Sequence, residues 1–465
     1  MNQLLLPQDN SDYVMEQFNF MRIFFNRVLA PSVIAFVFFF SPAAHAQNSS
    51  RDTLLQEVTL KAAVDYAIKH QPRIQQSLLD EQITSSNIRS RLADWYPQVN
   101  FNYNLQHNFL LQSTVIGGNT IKLGVNNTSS GQFTASQVIF NRDVLLARRT
   151  KEEVLLQTTQ TTSNNKIDLA ANVSKAFYDV LATSQQIKVA AENIVRTERS
   201  LQDATNQYKA GVADKIDYKR ATISLNNIKA LKRSNEELVK AKTEYLKSLM
   251  GYPDSAALNI VYDSLELEAA IALDTTQAAD YKTRIEYKLL ETQRNLLQSN
   301  ILYNRWSYLP SVSANGAYNL NFQNNDFGKL YGTNYPNSYA GITLGVPIFQ
   351  GGKRKANLKT ATLQLQRNDQ DIANLKNTVH AQYAQALAGY KSNLENYLAL
   401  KENVNIAKEV YNVIQLQYRS GIKTYLEVIT AETDLRTAQI NYFNALYQVL
   451  SSKVDVEKAL GLINY

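Results

Sequence analysis

Cysteine is absent from all 465 residues of the chain. This absence excludes disulfide bridges, thiolate metal sites and a lipid anchor on an N-terminal cysteine. Long apolar runs are also scarce, because no window after residue 46 approaches the roughly 18 consecutive apolar residues of a membrane-spanning helix. If the protein enters a membrane, it must therefore do so with strands.

Histidine is rare, and the residue types that build catalytic sites are scattered. After residue 46 the histidines are His70, His107 and His380, which lie far apart and lack the spacing of a metal or catalytic motif. No glycine-rich phosphate loop occurs, and acidic pairs such as Glu236 and Glu237 fall within predicted helices. We therefore predict that the protein is not an enzyme and has no cofactor or metal site.

The chain is basic, with a net charge of +7. A basic balance can indicate binding to nucleic acid or to anionic lipid. Here lysine and arginine are spread beside aspartate and glutamate along predicted helices. This distribution favours solvated helix surfaces, and we predict no nucleic-acid partner.

The first 46 residues have the layout of a secretory signal peptide. Arg22 and Arg27 precede an apolar run over 28–40, and Ala44-His45-Ala46 offers a small-x-small cleavage site. The run is shorter than the roughly 20 residues that span a bilayer as a helix. We predict cleavage after Ala46, with an uncleaved membrane anchor as the alternative. The translation start is open among three methionines: Met1, Met15 and Met21.

After this segment the chain repeats itself at an offset of 210 residues, because Gln207–Val212 matches Gln417–Ile422. A repeat this long indicates an internal duplication and not a solenoid. Each half has the predicted order helix, strand, strand, very long helix, turn, helix. The predicted bounds are 47–253 for the first repeat, 254–275 for a linker and 276–465 for the second repeat.

Strands are predicted in two windows with few charges, 97–140 and 311–349. Apolar residues alternate there with Asn, Gln, Ser and Thr, which places one set on each face of a sheet. A polar face without charge suits the lumen of a membrane barrel, and strands of about 10 residues can cross an outer membrane. A soluble sandwich is the alternative. The apolar stripes are Val99, Phe101, Tyr103 and Leu105; Val312, Ala314, Tyr318, Leu320 and Phe322; and Ala340, Ile342, Leu344, Val346 and Ile348, with Gly131–Phe140 as a weaker fourth strand.

Four strands cannot close a barrel, and open edges are not tolerated in lipid. The chain must therefore share a barrel with copies of itself. Two copies supply 8 strands and three supply 12, and strand arithmetic leaves both possible.

Very long helices are predicted over 141–208 and 353–418, each about 100 Å at 1.5 Å per residue. Their narrow apolar seams at spacings of 3 and 4 follow coiled-coil rules. Such helices suit the wall of a hollow tube, and a dimeric coiled coil is the alternative. Each ends at a tip, 209–217 or 419–427, where Gly211 or Gly421 allows a second helix to turn back.

With these tips, the paired strand windows and the opening Thr59–Ala67, the chain resembles the TolC-like outer-membrane efflux family over essentially all of 57–462. The resemblance implies a mainly α fold with a β-barrel portion. It further implies that three protomers share one 12-stranded transmembrane β-barrel, which a periplasmic α-helical barrel continues. The implied partners are outer-membrane lipid, a periplasmic adaptor (membrane fusion protein) and an inner-membrane pump of the RND or ABC type.

The resemblance also implies that the tips dock the adaptor and close the entrance, with Tyr418 and Lys423 facing Asp217. Glu427 keeps one acidic ring position of the family, whereas Thr430 loses the other, which makes the entrance less anionic. A plain packing role at the end of each hairpin is the alternative for the two tyrosines. The implied gate and docking residues are Tyr208, Gly211, Val212, Asp217, Tyr418, Gly421, Ile422, Lys423 and Glu427.

Three functions follow from this sequence. The first is the outer-membrane duct of a tripartite efflux system. The second is an export duct for polypeptides in type I secretion. The third, from another class, is a secreted coiled-coil structural protein without a channel.

Overall fold

The computed structural model describes Leu55, residues 57–262 and residues 264–463. The predicted signal peptide lies outside these residues. The first half has the helices α1 (Leu60–His70), α2 (Pro72–Ala93), α3 (Arg142–Lys209) and α4 (Lys215–Met250). The linker holds α5 (Ser264–Ala269), and the second half has α6 (Ile285–Arg305), α7 (Lys353–Arg419) and α8 (Tyr425–Leu460).

The strands lie between the helices of each half. They are β1 (Gln98–His107), β2 (Gln112–Ile116), β3 (Asn119–Leu123), β4 (Asn127–Phe140), β5 (Ser311–Asn324) and β6 (Asn337–Gly345). Short 3-10 turns occupy Tyr281–Thr283, Trp306–Tyr308 and Phe327–Gly332. The chain is therefore mainly α with a β portion, as the sequence predicts.

The two long helices, α3 and α7, dominate the fold. They have 68 and 67 residues, and their bounds lie within one residue of the predicted ones. The Asn141 side chain accepts a hydrogen bond from the backbone N of Asp143 at 2.8 Å, which caps the start of α3. No described helix is both long and apolar enough to cross a membrane.

The main sheet has four antiparallel strands in the order β1-β4-β5-β6. The register places Phe101, Phe133 and Tyr318 in one row across three strands, and the next row holds Asn102, Gln132 and Asn319. Because side chains alternate along a strand, one face of the sheet carries the apolar rows and the other the amide and hydroxyl rows. The predicted alternation is thus present on all four strands.

The pairing of β4 with β5 joins the two halves, and β1 and β6 form the two edges of the sheet. On β1 the apolar side chains are about half exposed or more, from 48% at Leu105 to 70% at Val99. On β6, Ile342 is 74% exposed. Both edges and the apolar face therefore lack partners within the described part of one chain.

Three strand details differ from prediction. The fourth strand begins at Asn127 and not at Gly131, and β6 ends at Gly345, so Val346 and Ile348 lie beyond it. Pro347 explains this early end, because proline has no backbone N–H for a ladder bond.

The third difference is an additional hairpin, β2 and β3, in the connection between β1 and β4. Gly117 and Gly118 form its two-residue turn with φ of 59° and 86°. A type I′ turn needs positive φ at both central residues, so this Gly-Gly pair was a hairpin signal in the sequence.

The segment Phe327–Gly332 lies over one end of the apolar face. Leu330 of this segment is fully buried. The Tyr331 hydroxyl lies 2.6 Å from the Tyr103 hydroxyl and donates to Ser129 Oγ at 3.3 Å. The Tyr331 ring also packs on Phe322, with ring centroids 5.2 Å apart. The apolar face is thereby shortened at the end away from the long helices.

The main core lies where α1 and the ends of α4 and α8 pack on the middle of α3. Fully or almost fully buried side chains there include Phe177, Leu246, Met250 and Val449. The linker adds to this core, because the Tyr390 hydroxyl of α7 donates to the Ile271 carbonyl at 2.8 Å. A smaller cluster, Ala204, Ala221, Tyr425 and Val428, lies near the tips.

A first prediction concerns Gly251, the C-cap of α4, which has φ of 66° and lies against α1. A Cβ there would come within 2.7 Å of the His70 carbonyl oxygen. Gly251→Ala should therefore destabilise the fold by about 1–3 kcal/mol, through left-handed strain and backbone crowding. The measurement is the midpoint of thermal loss of far-UV circular dichroism in detergent.

The matched control is Gly389→Ala in the interior of α7, where a Cβ would meet nothing within 4 Å. This change should leave the midpoint unchanged or raise it, because alanine is favoured over glycine in a helix by about 1 kcal/mol. Equal midpoints for Gly251→Ala and the parent chain would contradict the prediction.

Candidate functional site

The two helix tips close with the same hydrogen bonds. Gly211 N donates to the Tyr208 carbonyl and Val212 N to the Gln207 carbonyl, both at 3.0 Å. At the second tip, Gly421 N donates to Tyr418 and Ile422 N to Gln417, both at 2.9 Å. Each glycine is left-handed, with φ of 77° or 74°. This is the Schellman motif, and it explains why glycine recurs at both ends.

The second helix of each tip begins with a side-chain cap. Asp214 Oδ1 accepts from Ile216 N at 2.9 Å at the start of α4. At the start of α8, Thr424 and Glu427 form a capping box, and Thr424 N donates to Glu427 Oε2 at 2.9 Å. Lys423 Nζ also donates to Glu427 Oε1, at 2.6 Å. The Lys423 bond is the main reason that the pKa of Glu427 is lowered, and the Thr424 N–H adds to it.

Tyr418 joins the two tips. Its hydroxyl donates to Gln207 Oε1 of α3 at 2.5 Å, and its ring packs on Tyr425 with centroids 5.5 Å apart. Burial raises the pKa of Tyr418, and the nearby carboxylates of Asp217 and Asp203 raise it further. Tyr418 therefore lies at a contact between the halves.

Asp217 lies near Tyr418 but has no side-chain hydrogen bond or ion pair with any described residue. Lys423 pairs with Glu427 within the chain. The link of Tyr418 and Lys423 to Asp217 therefore stays a prediction. Tyr208, the repeat partner of Tyr418, is 41% exposed and packs on Tyr218 at 5.2 Å.

The end of each tip exposes an apolar side chain. Val212 is 75% exposed and Ile422 is 71% exposed. Ile216 and Leu426, in the first turns of α4 and α8, are half exposed. An apolar end surface on polar helices is typical of a protein-binding site.

Sequence reasoning missed two residues of this region. Gln207 belongs to the repeated motif, but its hydrogen-bond partner Tyr418 is far away in sequence and comes close only in the folded chain. Glu432 of α8 is 1% exposed and accepts a hydrogen bond from Thr197 Oγ1 of α3. Its signal was its position, since it occupies the buried stripe Tyr425, Val428, Glu432, Leu435 at spacings of 3, 4 and 3.

The side of α7 presents a second apolar surface. A stripe of side chains that are about half exposed or more runs along the part of the helix nearest the tip. Its members are Leu398, Ile406, Val410, Val413 and Leu416. Helical spacing places them along one side of α7, as in an unpartnered coiled-coil seam.

The chain matches the family model described as "Outer membrane efflux protein" over residues 63–252 and 288–462. It is 19% identical to outer membrane protein TolC of Escherichia coli (strain K12), over 90% of this chain and 85% of that protein. It is 23% identical to outer membrane protein OprJ of Pseudomonas aeruginosa, over 90% of this chain and 88% of that protein.

Solved structures share the fold. The chain superposes on CusC with a TM-score of 0.69 and 18% identity, covering 86% of this chain and 91% of the other. For the open state of the Neisseria gonorrhoeae MtrE outer membrane channel, the TM-score is 0.65 at 20% identity, covering 86% and 88%.

A second prediction concerns Glu427, whose carboxylate caps α8 and pairs with Lys423. Glu427→Ala should fray the first turn of α8, because both the capping box and the ion pair are lost. Limited trypsin digestion should then cleave faster after Arg419 and Lys423. In Glu427→Gln the amide still caps, so cleavage should stay close to that of the parent chain.

Cleavage after Lys209 and Lys215 at the first tip is the internal control and should not change. The carboxylate contribution is fully present above the unfolded pKa of about 4.3 and is lost as pH falls through the lowered folded pKa. Equal cleavage of the alanine variant and the parent chain at neutral pH would contradict this role of Glu427.

Proposed function

Because the chain belongs to the outer membrane efflux protein family, we propose that it forms the outer-membrane duct of a tripartite efflux system. Its relatives are outer membrane efflux channels, and an efflux channel in the outer membrane is the role that membership assigns. We also propose that the chain assembles as a homotrimer, which docks to a periplasmic adaptor and an inner-membrane pump of the RND or ABC type.

The observation that carries a barrel shared between copies is the open four-stranded sheet, and the count of three copies is what the family resemblance implies. Its edges, β1 and β6, have unpaired backbone groups, and its apolar face is exposed. In lipid each unpaired backbone group costs several kcal/mol, so the edges must pair with other copies. Three copies give 12 strands, with the apolar rows towards lipid and the Asn and Gln rows towards a water-filled lumen.

The α7 stripe supports the same assembly below the sheet. Copies that pair β6 with β1 bring the helical parts side by side. The exposed side chains from Leu398 to Leu416 then gain a partner helix, which buries apolar surface at about 25 cal/mol per Å². Sheet edges and helix stripe thus favour one arrangement.

The tips are the proposed docking surface for the adaptor. Val212 and Ile422 offer matching apolar ends on two hairpins of the same chain. Gly211 and Gly421 hold the chain in the tight turn that presents them. An adaptor that binds both tips through the same kind of contact would fit this repeated geometry.

The entrance is proposed to lie at the same tips, where Tyr418 joins α7 to α3. Asp217 adds negative charge beside Tyr418, and Lys423 is held by Glu427. Thr430 stands in place of an acid, and its hydroxyl donates to the Leu426 carbonyl of its own helix at 2.9 Å.

A third prediction tests the trimer through the cysteine-free background of the chain. Asn102→Cys on β1 is combined with a cysteine on the same face of β6, and the protein is oxidised in outer membranes. One of these same-face pairs should give cross-linked products that stop at the trimer. The β6 positions on this polar face are Asn337, Tyr339, Gly341 and Thr343.

The matched controls combine Asn102→Cys with the opposite-face positions Ser338, Ala340 and Ile342, which should not cross-link. Products limited to monomers in every same-face pair would contradict the shared sheet. Products that stop at the dimer would give 8 strands in place of 12.

A fourth prediction tests the entrance with Asp217→Arg. The reversed charge should repel the basic residues of the tip and weaken the contact around Tyr418, by a few kcal/mol at most. Conductance of the purified protein in planar bilayers should therefore rise. Asp371→Arg, an exposed acid of α7 far from the tip, is the control and should conduct like the parent chain.

Absence of conductance in the parent chain and in Asp217→Arg would refute the channel. Conductance that is equal in the two variants and the parent chain would leave the channel intact but remove Asp217 from its entrance.

A further inference from the structure

The seam between α3 and α8 contains polar layers where a coiled coil normally places apolar residues. The buried stripe of α3 runs Ala190, Asn193, Thr197, Ser200 and Ala204, at spacings of 3 and 4. Glu432 faces it from the buried stripe of α8, and Gln439 lies seven residues further along. Asn193 Nδ2 donates to Gln439 Oε1 at 3.5 Å, one turn above the Thr197–Glu432 contact.

Glu432 is the acidic group at the centre of these layers. It is 1% exposed, one carboxylate oxygen accepts from Thr197, and the other has no hydrogen-bond partner among the described residues. A buried carboxylate needs hydrogen bonds and a close cation to stay ionised at low cost. Glu432 has only one such bond.

Cations are near the carboxylate but not paired with it. Arg196 of α3 donates to Asn193 and lies over the Tyr411 ring of α7, at 5.9 Å from the centroid. Arg436 lies one turn further along α8, and Tyr425 lies two turns before Glu432. Neither guanidinium forms an ion pair with Glu432 in the described chain. Buried nitrogens of both, Arg196 Nε and Arg436 Nη1, also lack partners there.

Burial and the neighbouring groups have opposite effects on the pKa of Glu432. Burial raises its pKa, and this effect exceeds the opposing effects of Thr197, Arg436 and Arg196, so the net shift is upward. An acid with a raised folded pKa contributes stability that is fully present below its unfolded pKa, about 4.3. That stability is lost as pH rises through the raised value.

The seam lies directly behind the proposed entrance. Glu432 is seven residues into α8, about 10 Å along the helix from its first turn. Between it and the turn are Tyr425 and Val428, which pack with Ala204 of α3 and Ala221 of α4. Any separation of α8 from α3 at Glu432 therefore carries the second tip away from the first.

We propose that Glu432 is a positioning residue of the entrance, whose protonation strengthens the α3–α8 seam seen here and whose ionisation loosens it. This inference rests on the proposed channel function for its effect on conduction. The seam itself is a property of one chain. A purely structural polar layer would also fix the helix register, but it would not respond to pH.

The first test is hydrogen exchange of the full-length protein in detergent, compared between variants at the same pH so that intrinsic rates cancel. Glu432→Gln mimics the protonated acid. At about pH 8 its amides in 425–435 should exchange more slowly than those of the parent chain, about tenfold for each pKa unit of the upward shift. At about pH 5 the two should approach each other.

Two further variants sharpen this test. Asp434→Asn removes an exposed acid two residues away and should match the parent chain at both pH values. Thr197→Val removes the hydrogen bond that favours the ionised carboxylate. It should move the pH at which exchange changes upward while keeping a similar side-chain volume.

The second test is conductance across the same pH range. The parent chain should conduct more at about pH 8 than at about pH 5, whereas Glu432→Gln should stay near the lower value throughout. Equal exchange of Glu432→Gln and the parent chain at both pH values would overturn the proposal. A difference in exchange with no pH effect on conductance would overturn the link to the entrance. A parent chain without any conductance would instead refute the proposed channel, and exchange would still decide the seam.

Discussion

Backbone hydrogen bonding at the sheet edges governs how this chain can be arranged. Two halves of one chain meet at the β4–β5 pairing, and this leaves the outer edges of β1 and β6 unpaired within the described part of the chain. A soluble protein can hide or charge such edges. Here the face beside them is apolar and exposed, which supports the proposed pairing of these edges with other copies. The long helices follow β4 and β6 directly, so the pairing of the strand edges also determines how these helices are arranged.

Below the sheet, the two halves meet again through polar contacts. Tyr418 donates a hydrogen bond to Gln207 at the tips. Thr197 donates one to Glu432 further along α3 and α8 from the tips. Apolar seams would hold the hairpins more tightly, since each polar layer costs stability in return for a defined register. The helical part is therefore firmly packed around Phe177 and Met250 and more adjustable towards its end.

Much of this architecture could be predicted from local patterns. Helix bounds were accurate because a residue such as Asn141 caps locally, and the tip glycines act within one turn. Strand faces followed from strict alternation. Side-chain contacts between residues far apart in sequence could not be predicted in this way. The Tyr418–Gln207 and Glu432–Thr197 contacts depend on how helices far apart in sequence are aligned. The β2–β3 hairpin has its sequence signal in Gly117 and Gly118, and β6 ends earlier than its alternating pattern predicts because Pro347 follows it.

The β4–β5 joint has a consequence for the ancestry of the chain. Each half contributes two strands of the main sheet, so the proposed twelve-stranded barrel corresponds to six half-length units. In a ring of six identical units every joint would be equivalent. Duplication within one chain places one joint in two inside a protomer, where the two sides can differ: Tyr331 lies across the β4–β5 joint, bound to Ser129 of β4 and packed on Phe322 of β5. Duplication therefore allows the joint within a chain and the joint between chains to have different structures.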